Sequence, residues 1–84
     1  MTKWLEVVTD DSTEVKIKLA HPYLGYPEGT IQVSIPGTSP VLAYFIPVPG
    51  AGGYYIHRID PDGVLGYQGI SRDFSESVRM AEAA

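Results

Sequence analysis

The sequence predicts a β-rich α+β fold, in which five or six mostly antiparallel strands form a meander or small barrel with one C-terminal helix. Two observations carry this prediction. Short stretches in which apolar and polar residues alternate recur between turn-forming residues, as in strands with one buried face. After Ser71 the apolar period changes to that of a helix. The 84 residues show no linker or internal repeat, so a single domain spanning residues 1–84 is expected.

The first two strands are predicted to form a hairpin. Residues 4–9 (WLEVVT) are apolar and β-branched, and residues 14–20 (EVKIKLA) place apolar side chains on one face and charged ones on the other. The intervening DDST supplies turn formers for a four-residue loop. The next segment, HPYLGYPEG, contains two prolines and two glycines and is predicted to be an irregular connection.

The two middle strands differ in their polarity. Residues 30–35 (TIQVSI) alternate, and PGTSP then interrupts the strand, whereas residues 41–48 (VLAYFIPV) are apolar throughout. The predicted helix is too small to hide this apolar strand fully, so we expect part of it to contact a second copy of the chain or another protein. The residues expected at this interface are Val41, Tyr44, Phe45 and Ile46.

The C-terminal third is predicted to contain a second hairpin and the helix. Residues 54–59 (YYIHRI) and 64–68 (VLGYQ) flank the sequence DPDG, which suits a type I turn followed by a bulge glycine. In the helix, Asp73 and Glu76 resemble a capping box. The apolar stripe of the helix consists of Phe74, Val78 and Ala81.

Composition and charge exclude several classes of function. Ten acidic and six basic residues give a net charge of −4, and the basic residues form no run, so direct nucleic-acid binding is disfavoured. No apolar run approaches the ~18 residues of a membrane span, and there is no signal-peptide pattern or cysteine. A cytoplasmic protein with no membrane association is expected. An acidic surface favours a basic protein partner.

No segment carries a convincing catalytic or metal-binding pattern. Gly50, Gly52 and Gly53 lead into a predicted strand rather than a helix, so a strand connection is a better interpretation than a phosphate-binding loop. GISRD resembles a nucleophile elbow at Ser71 but fits a helix start better, and DPDG fits a turn better than a calcium loop. His21 and His57 belong to different elements. We therefore expect no enzymatic activity, cofactor or metal.

Tyrosine is the most suggestive residue type in this sequence. Tyr23 and Tyr26 lie in the first Pro/Gly connection, and Tyr54 and Tyr55 follow the glycine loop. If the two connections share one edge of the sheet, these aromatic rings could form a pocket, with an arginine as a cation for an anionic ligand. Alternatively, the tyrosines pack around a small core. The candidate contact residues are Tyr23, Tyr26, Tyr54, Tyr55, His57, Arg58 and Arg72.

Three functional hypotheses follow. The first is a small non-catalytic protein that acts through a protein–protein interface, such as an inhibitor of a larger host machine of the kind carried by phages and mobile elements against host defence. Its support is an analogy of size and charge. The alternative is a homo-oligomer that binds or sequesters a nucleotide-like, anionic small molecule with its loop tyrosines. An active site assembled between subunits is a third, weaker hypothesis.

Overall fold

The computed structural model describes residues 4–35, 41–59 and 65–83. Its strands are β1 (Leu5–Val8), β2 (Glu14–Leu19), β3 (Ile31–Ile35), β4 (Val41–Pro47), β5 (Tyr54–Ile59) and β6 (Leu65–Ile70), with a 3-10 turn at Pro22–Leu24 and one helix, α1 (Phe74–Ala83). The strands pair antiparallel in chain order. The predicted β-rich meander with a C-terminal helix is confirmed. Within the described residues β1 and β6 do not pair, so the sheet is open rather than a closed barrel.

The β1–β2 hairpin forms as predicted, but Thr9 pairs with Thr13, so its loop has three residues, 10–12, rather than the predicted four. The backbone N–H of Thr9 donates to the Thr13 carbonyl at 2.9 Å, and the N–H of Ser12 donates to the Thr9 carbonyl at 3.0 Å. Ser12 has a positive φ of 67°, as the last residue of such a loop requires. The predicted interruption at residues 36–40 and the DPDG turn lie outside the described residues.

One face of the sheet, here called the inner face, packs against α1. Alternation along each strand and the strand registers put Val33 opposite Ala43 and Phe45 opposite Ile56 on this face. The ring of Phe74 packs edge-on against Phe45, with 5.8 Å between ring centroids. The buried core consists of Val15, Val33, Ile35, Ala43, Phe45, Ile56, Val78 and Ala81.

The sheet curls around the helix, so that its first hairpin also contacts α1. The guanidinium of Arg79 forms an ion pair with Asp10 in the β1–β2 loop, with 2.5 Å between Nη1 and Oδ1. The backbone N–H of Asp10 donates to Ser75 Oγ at 3.1 Å. Since α1 directly follows the opposite edge strand, these contacts bring both edges of the sheet to one short helix.

The first turn of α1 is capped as the sequence predicts. The N–H of Glu76 donates to Asp73 Oδ1 at 2.8 Å. The carboxylate of Glu76 in turn accepts the backbone N–H of Arg72 at 2.8 Å and forms an ion pair with its guanidinium at 2.8 Å. These hydrogen bonds from the Arg72 side chain and backbone lower the pKa of Glu76 below its ordinary value.

The glycine-rich segment turns the chain between β4 and β5, as its composition predicts. The N–H of Ala51 donates to the Val48 carbonyl at 3.2 Å, and Gly50 adopts a φ of +75° inside this turn. Gly53 lies so close to the segment before α1 that a Cβ there would be 2.0 Å from the Ser71 carbonyl oxygen. The sequence of this loop is therefore explained by backbone geometry.

Ser71 joins β5 to the start of the helix. Its N–H donates to the Tyr54 carbonyl at 2.8 Å, and its Oγ accepts the N–H of Tyr54 at 3.1 Å. The same hydroxyl is hydrogen-bonded to the buried hydroxyl of Ser77. These contacts support the interpretation of Ser71 as a residue that organises the helix start.

We expect Glu76→Gln to destabilise the protein more at about pH 7 than at about pH 3. The pKa of Glu76 is lower in the folded chain than in the unfolded chain. Its carboxylate therefore contributes fully to the free energy of unfolding when the pH is above the unfolded pKa, and this contribution is lost as the pH falls through the folded pKa. Urea unfolding midpoints at the two pH values measure the difference. Glu82→Gln, on the same helix, is the charge-matched control. An equal effect of Glu76→Gln at both pH values would contradict this account.

We expect Gly53→Ala to destabilise the protein by about 3 kcal/mol, because the new methyl group would overlap backbone atoms that cannot move independently. Gly50→Ala is the matched control. It introduces the same methyl group into open space and carries only the cost of the left-handed backbone, about 1 kcal/mol. Chemical denaturation of both variants measures the difference, and equal losses would show that the close approach at Gly53 is unimportant.

Candidate functional site

The second face of the sheet, here called the open face, is not covered by α1. The strand registers align one side chain from each of five neighbouring strands across its centre. This cross-strand row consists of Lys18, Gln32, Tyr44, His57 and Gln68. It combines one cation, two amides and two aromatic rings, so this face can offer both hydrogen bonds and aromatic contact.

The half of the open face formed by β4, β5 and β6 carries no formally charged side chain among the described residues, counting His57 as neutral. We call this half the outer patch, and it consists of Leu42, Tyr44, Ile46, Tyr55, His57, Ile59, Gln68 and Ile70. Ile70 is 65% exposed and Leu42 is 37% exposed, although both are large apolar residues. The described acidic and basic side chains of the open face lie on β1, β2 and the connection after β2.

Tyr26 folds the long β2–β3 connection onto the open face. Its ring stacks on Tyr44 with 4.6 Å between centroids, and its hydroxyl forms a hydrogen bond with Nδ1 of His57. Burial, and secondarily the proximity of Tyr44, raises the pKa of Tyr26 above its ordinary value, so the phenol stays protonated at neutral pH. The connection is therefore attached to the sheet at a defined point.

A groove of about 590 Å³ lies beside this attachment point, between the β2–β3 connection and the ends of β2 and β3. We call it the loop groove. Its lining residues are Lys18, Leu19, Ala20, His21, Tyr26, Pro27, Glu28, Gly29, Thr30 and Gln32. Its volume lies within the ~300–1,000 Å³ that small-molecule sites usually occupy.

The loop groove contains both charge signs. Lys18 Nζ lies 4.6 Å from the centroid of the Trp4 ring, and Lys18 forms no ion pair with a described carboxylate. Glu28 likewise has no ion-pair partner in the described part of the chain. His21 Nδ1 accepts the N–H of Tyr23 at 3.2 Å, so the neutral ring carries its proton on Nε2 and can donate from there.

The structure brings together some of the predicted contact residues and separates the others. Tyr26, Tyr55 and His57 lie on the open face, where the Tyr55 hydroxyl donates to Gln68 Oε1 at 3.2 Å. Tyr54 lies on the inner face, with its ring centroid 5.9 Å from that of Phe45. Arg58 shares that face, because it lies opposite Ala43 in the register.

The two remaining candidates lie outside both groups. Tyr23 is 93% exposed on the 3-10 turn, with its ring against His21, and Arg72 pairs with Glu76 at the start of the helix. A Cβ placed on Gly29 would lie 3.4 Å from Pro47 Cγ, so the β2–β3 connection and the end of β4, where the second Pro/Gly connection begins, lie at the same end of the sheet. The expected single pocket does not form there, because consecutive strand residues point to opposite faces.

The expected interface residues of β4 divide in the same way. Phe45 is fully buried, and Val41 is half-buried against the core, so both residues belong to the inner face. Tyr44 and Ile46 lie on the open face instead. Leu42, which the sequence analysis did not single out, completes the outward stripe of this strand.

Several residues of the two regions were not predicted as contact residues because their placement depends on neighbours that are distant in the sequence. The alternation of β2 and β3 assigned Lys18 and Gln32 to a polar face, but not to a site. Nothing local indicated that Tyr26 would fold beside them. Ile70 was missed because β6 was predicted to end at residue 68, two residues before its end in the structure.

Within the described residues, no group of three or more His, Asp or Glu side chains is placed to hold a metal ion. In the same part of the chain, no helix has the length and apolar character needed to cross a membrane. Comparisons with known protein families, curated proteins and solved structures give no match. The functional argument therefore rests on the outer patch and the loop groove.

We expect Tyr26→Phe and Tyr26→Ala to loosen the β2–β3 connection progressively. The first variant removes the hydrogen bond to His57 and should cost about 1 kcal/mol. The second also removes the ring stacked on Tyr44, which adds about 1 kcal/mol or more. Amide hydrogen exchange of residues 20–30 should rise in the same order. Tyr23→Ala, which removes a 93% exposed ring, is the control. If all three variants exchange like the wild type, Tyr26 does not hold the connection.

Proposed function

We propose that this chain is a small non-catalytic binding protein whose outer patch recognises another protein. The observation that carries the proposal is that β4, β5 and β6 present seven side chains without formal charge around the buried Tyr44, on a face left uncovered by α1. The centres of protein interfaces are depleted in charge and enriched in aromatic residues. Exposed apolar groups that are contiguous, rather than scattered, are typical of such surfaces.

The composition of the outer patch favours a protein partner over a small molecule. The loop groove is a concave region on this face, whereas the patch extends over three adjacent strands. Tyr55 and His57, which are half-buried, combine apolar area with hydrogen-bonding atoms, which suits a broad interface.

Charge supports a partner that is basic around its own apolar contact surface. The chain carries a net charge of −4, and complementary charge outside the contact accelerates association. An acidic domain of this size that occupies a basic functional surface of a larger assembly would act as an inhibitor. This is the role we propose, in the manner of anti-defence proteins of phages and mobile elements.

We expect Ile70→Lys to weaken binding to the partner at least about thirtyfold, because it places a charge within the apolar contact. Leu5→Lys is the matched control. Leu5 is 63% exposed, close to the 65% of Ile70, but lies on the inner face at the opposite edge of the sheet. The partner recovered in stoichiometric amount with the wild-type chain from the native cell is purified and titrated against both variants by calorimetry. Thermal unfolding confirms that both variants fold.

Two results would contradict the proposal. In one, the partner binds Ile70→Lys and the wild type equally well. In the other, light scattering finds a homodimer that Ile70→Lys dissociates, and no second protein binds. The outer patch would then belong to a second copy of this chain.

A further inference from the structure

We propose that the loop groove binds a small organic anion that carries a flat ring and hydrogen-bond donor groups, as a nucleoside monophosphate does. This site is separate from the proposed function, because the loop groove and the outer patch share no residue. It also differs from the ligand pocket that the sequence predicts. The cation is supplied by Lys18, not by Arg58 or Arg72, and only Tyr26 of the four predicted tyrosines lines the groove.

The position of Lys18 indicates that the ligand is an anion. Its side chain is half-buried beside the Trp4 ring, which restricts the ammonium group to one region of the groove. No described carboxylate neutralises it. Gln32 lies directly opposite Lys18 in the β2–β3 register, and its amide N–H can donate to the same group. A phosphate or carboxylate between them would receive charge-assisted hydrogen bonds.

The aromatic rings of Tyr26 and His21 indicate that the ligand contains a flat ring. One face of the Tyr26 ring is covered by Tyr44, and Tyr26 also lines the loop groove, so its remaining surface is available to a ligand. His21 adds a second ring, which is held by the hydrogen bond from the Tyr23 backbone to Nδ1. The groove volume of about 590 Å³ accommodates a nucleotide-sized molecule rather than an inorganic ion alone.

Glu28 favours a ligand that has hydrogen-bond donors away from its anionic group. Its exposed carboxylate lines the groove and would repel a ligand that carries negative charge throughout. It accepts hydrogen bonds, as sugar hydroxyl or amino groups would provide at a distance from the anionic group. Lys18 and Glu28 together therefore favour a molecule that is anionic at one end and rich in donors at the other.

Titration of the ¹⁵N-labelled chain with adenosine monophosphate, followed by NMR, tests the proposal. We expect shifts concentrated at residues 18–21, 26–30 and 32, with little change at Leu42 and Ile70. Lys18→Gln should weaken binding at least about tenfold. The matched control Lys16→Gln removes the same charge from the same strand and face but outside the groove, and should leave affinity unchanged. Adenosine, which lacks the anion, and inorganic phosphate, which lacks the ring, should each bind at least about tenfold more weakly.

Three outcomes would overturn this proposal. The nucleotide causes no shift at the groove residues, Lys16→Gln weakens binding as much as Lys18→Gln, or inorganic phosphate binds as tightly as the nucleotide. Ile70→Lys separates the two proposals, because it should weaken binding of the protein partner and leave the nucleotide titration unchanged. Thermal unfolding of Lys18→Gln establishes that any loss of binding occurs in a folded protein.

Discussion

The constraint on which this structure depends is that one helix of ten residues has to cover a sheet of six strands. The helix is too small for both faces, so only one face becomes a core. Phe45, Ile56 and Val78, which have no measurable exposure, meet where the helix crosses that face. Because the sheet curls, Asp10 of the β1–β2 loop reaches Arg79, and the helix contacts elements at both edges of the sheet. The opposite face keeps its apolar residues without cover.

The exposed face follows from this arrangement and explains the composition of β4. A strand that is apolar at every position is usual when both of its faces are covered. Here the inner stripe is covered by the helix and one outward residue, Tyr44, is covered by Tyr26. The flanking residues Leu42 and Ile46 belong to the patch that we propose binds a partner. A surface of this kind would be costly to retain in a protein that had no use for it.

The β2–β3 connection gives this open face two separate regions. Tyr26 stacks on Tyr44 and forms a hydrogen bond with His57, so it covers the middle of the open face. The same ring lines the loop groove near Lys18 and separates it from the outer patch. The patch proposed to bind a protein and the groove proposed to bind a ligand are thus adjacent through the Tyr26–Tyr44 contact. A ligand that changed the position of Tyr26 would act directly on Tyr44, which lies within the outer patch.

The sequence by itself determined the elements of this protein, because alternation, turn residues and helix capping are local properties. The boundaries of β5 and the Asp73 cap were predictable for that reason, whereas the order of the strands was not. Which residues share a site was decided only by the tertiary structure. Tyr54 and Tyr55 are neighbours in the chain but lie on opposite faces, whereas Tyr26 and His57 meet across 31 positions. The alternation along a strand predicts which face of the sheet a side chain lies on. Which side chains from different elements come together depends on the path of a loop and on where the helix packs.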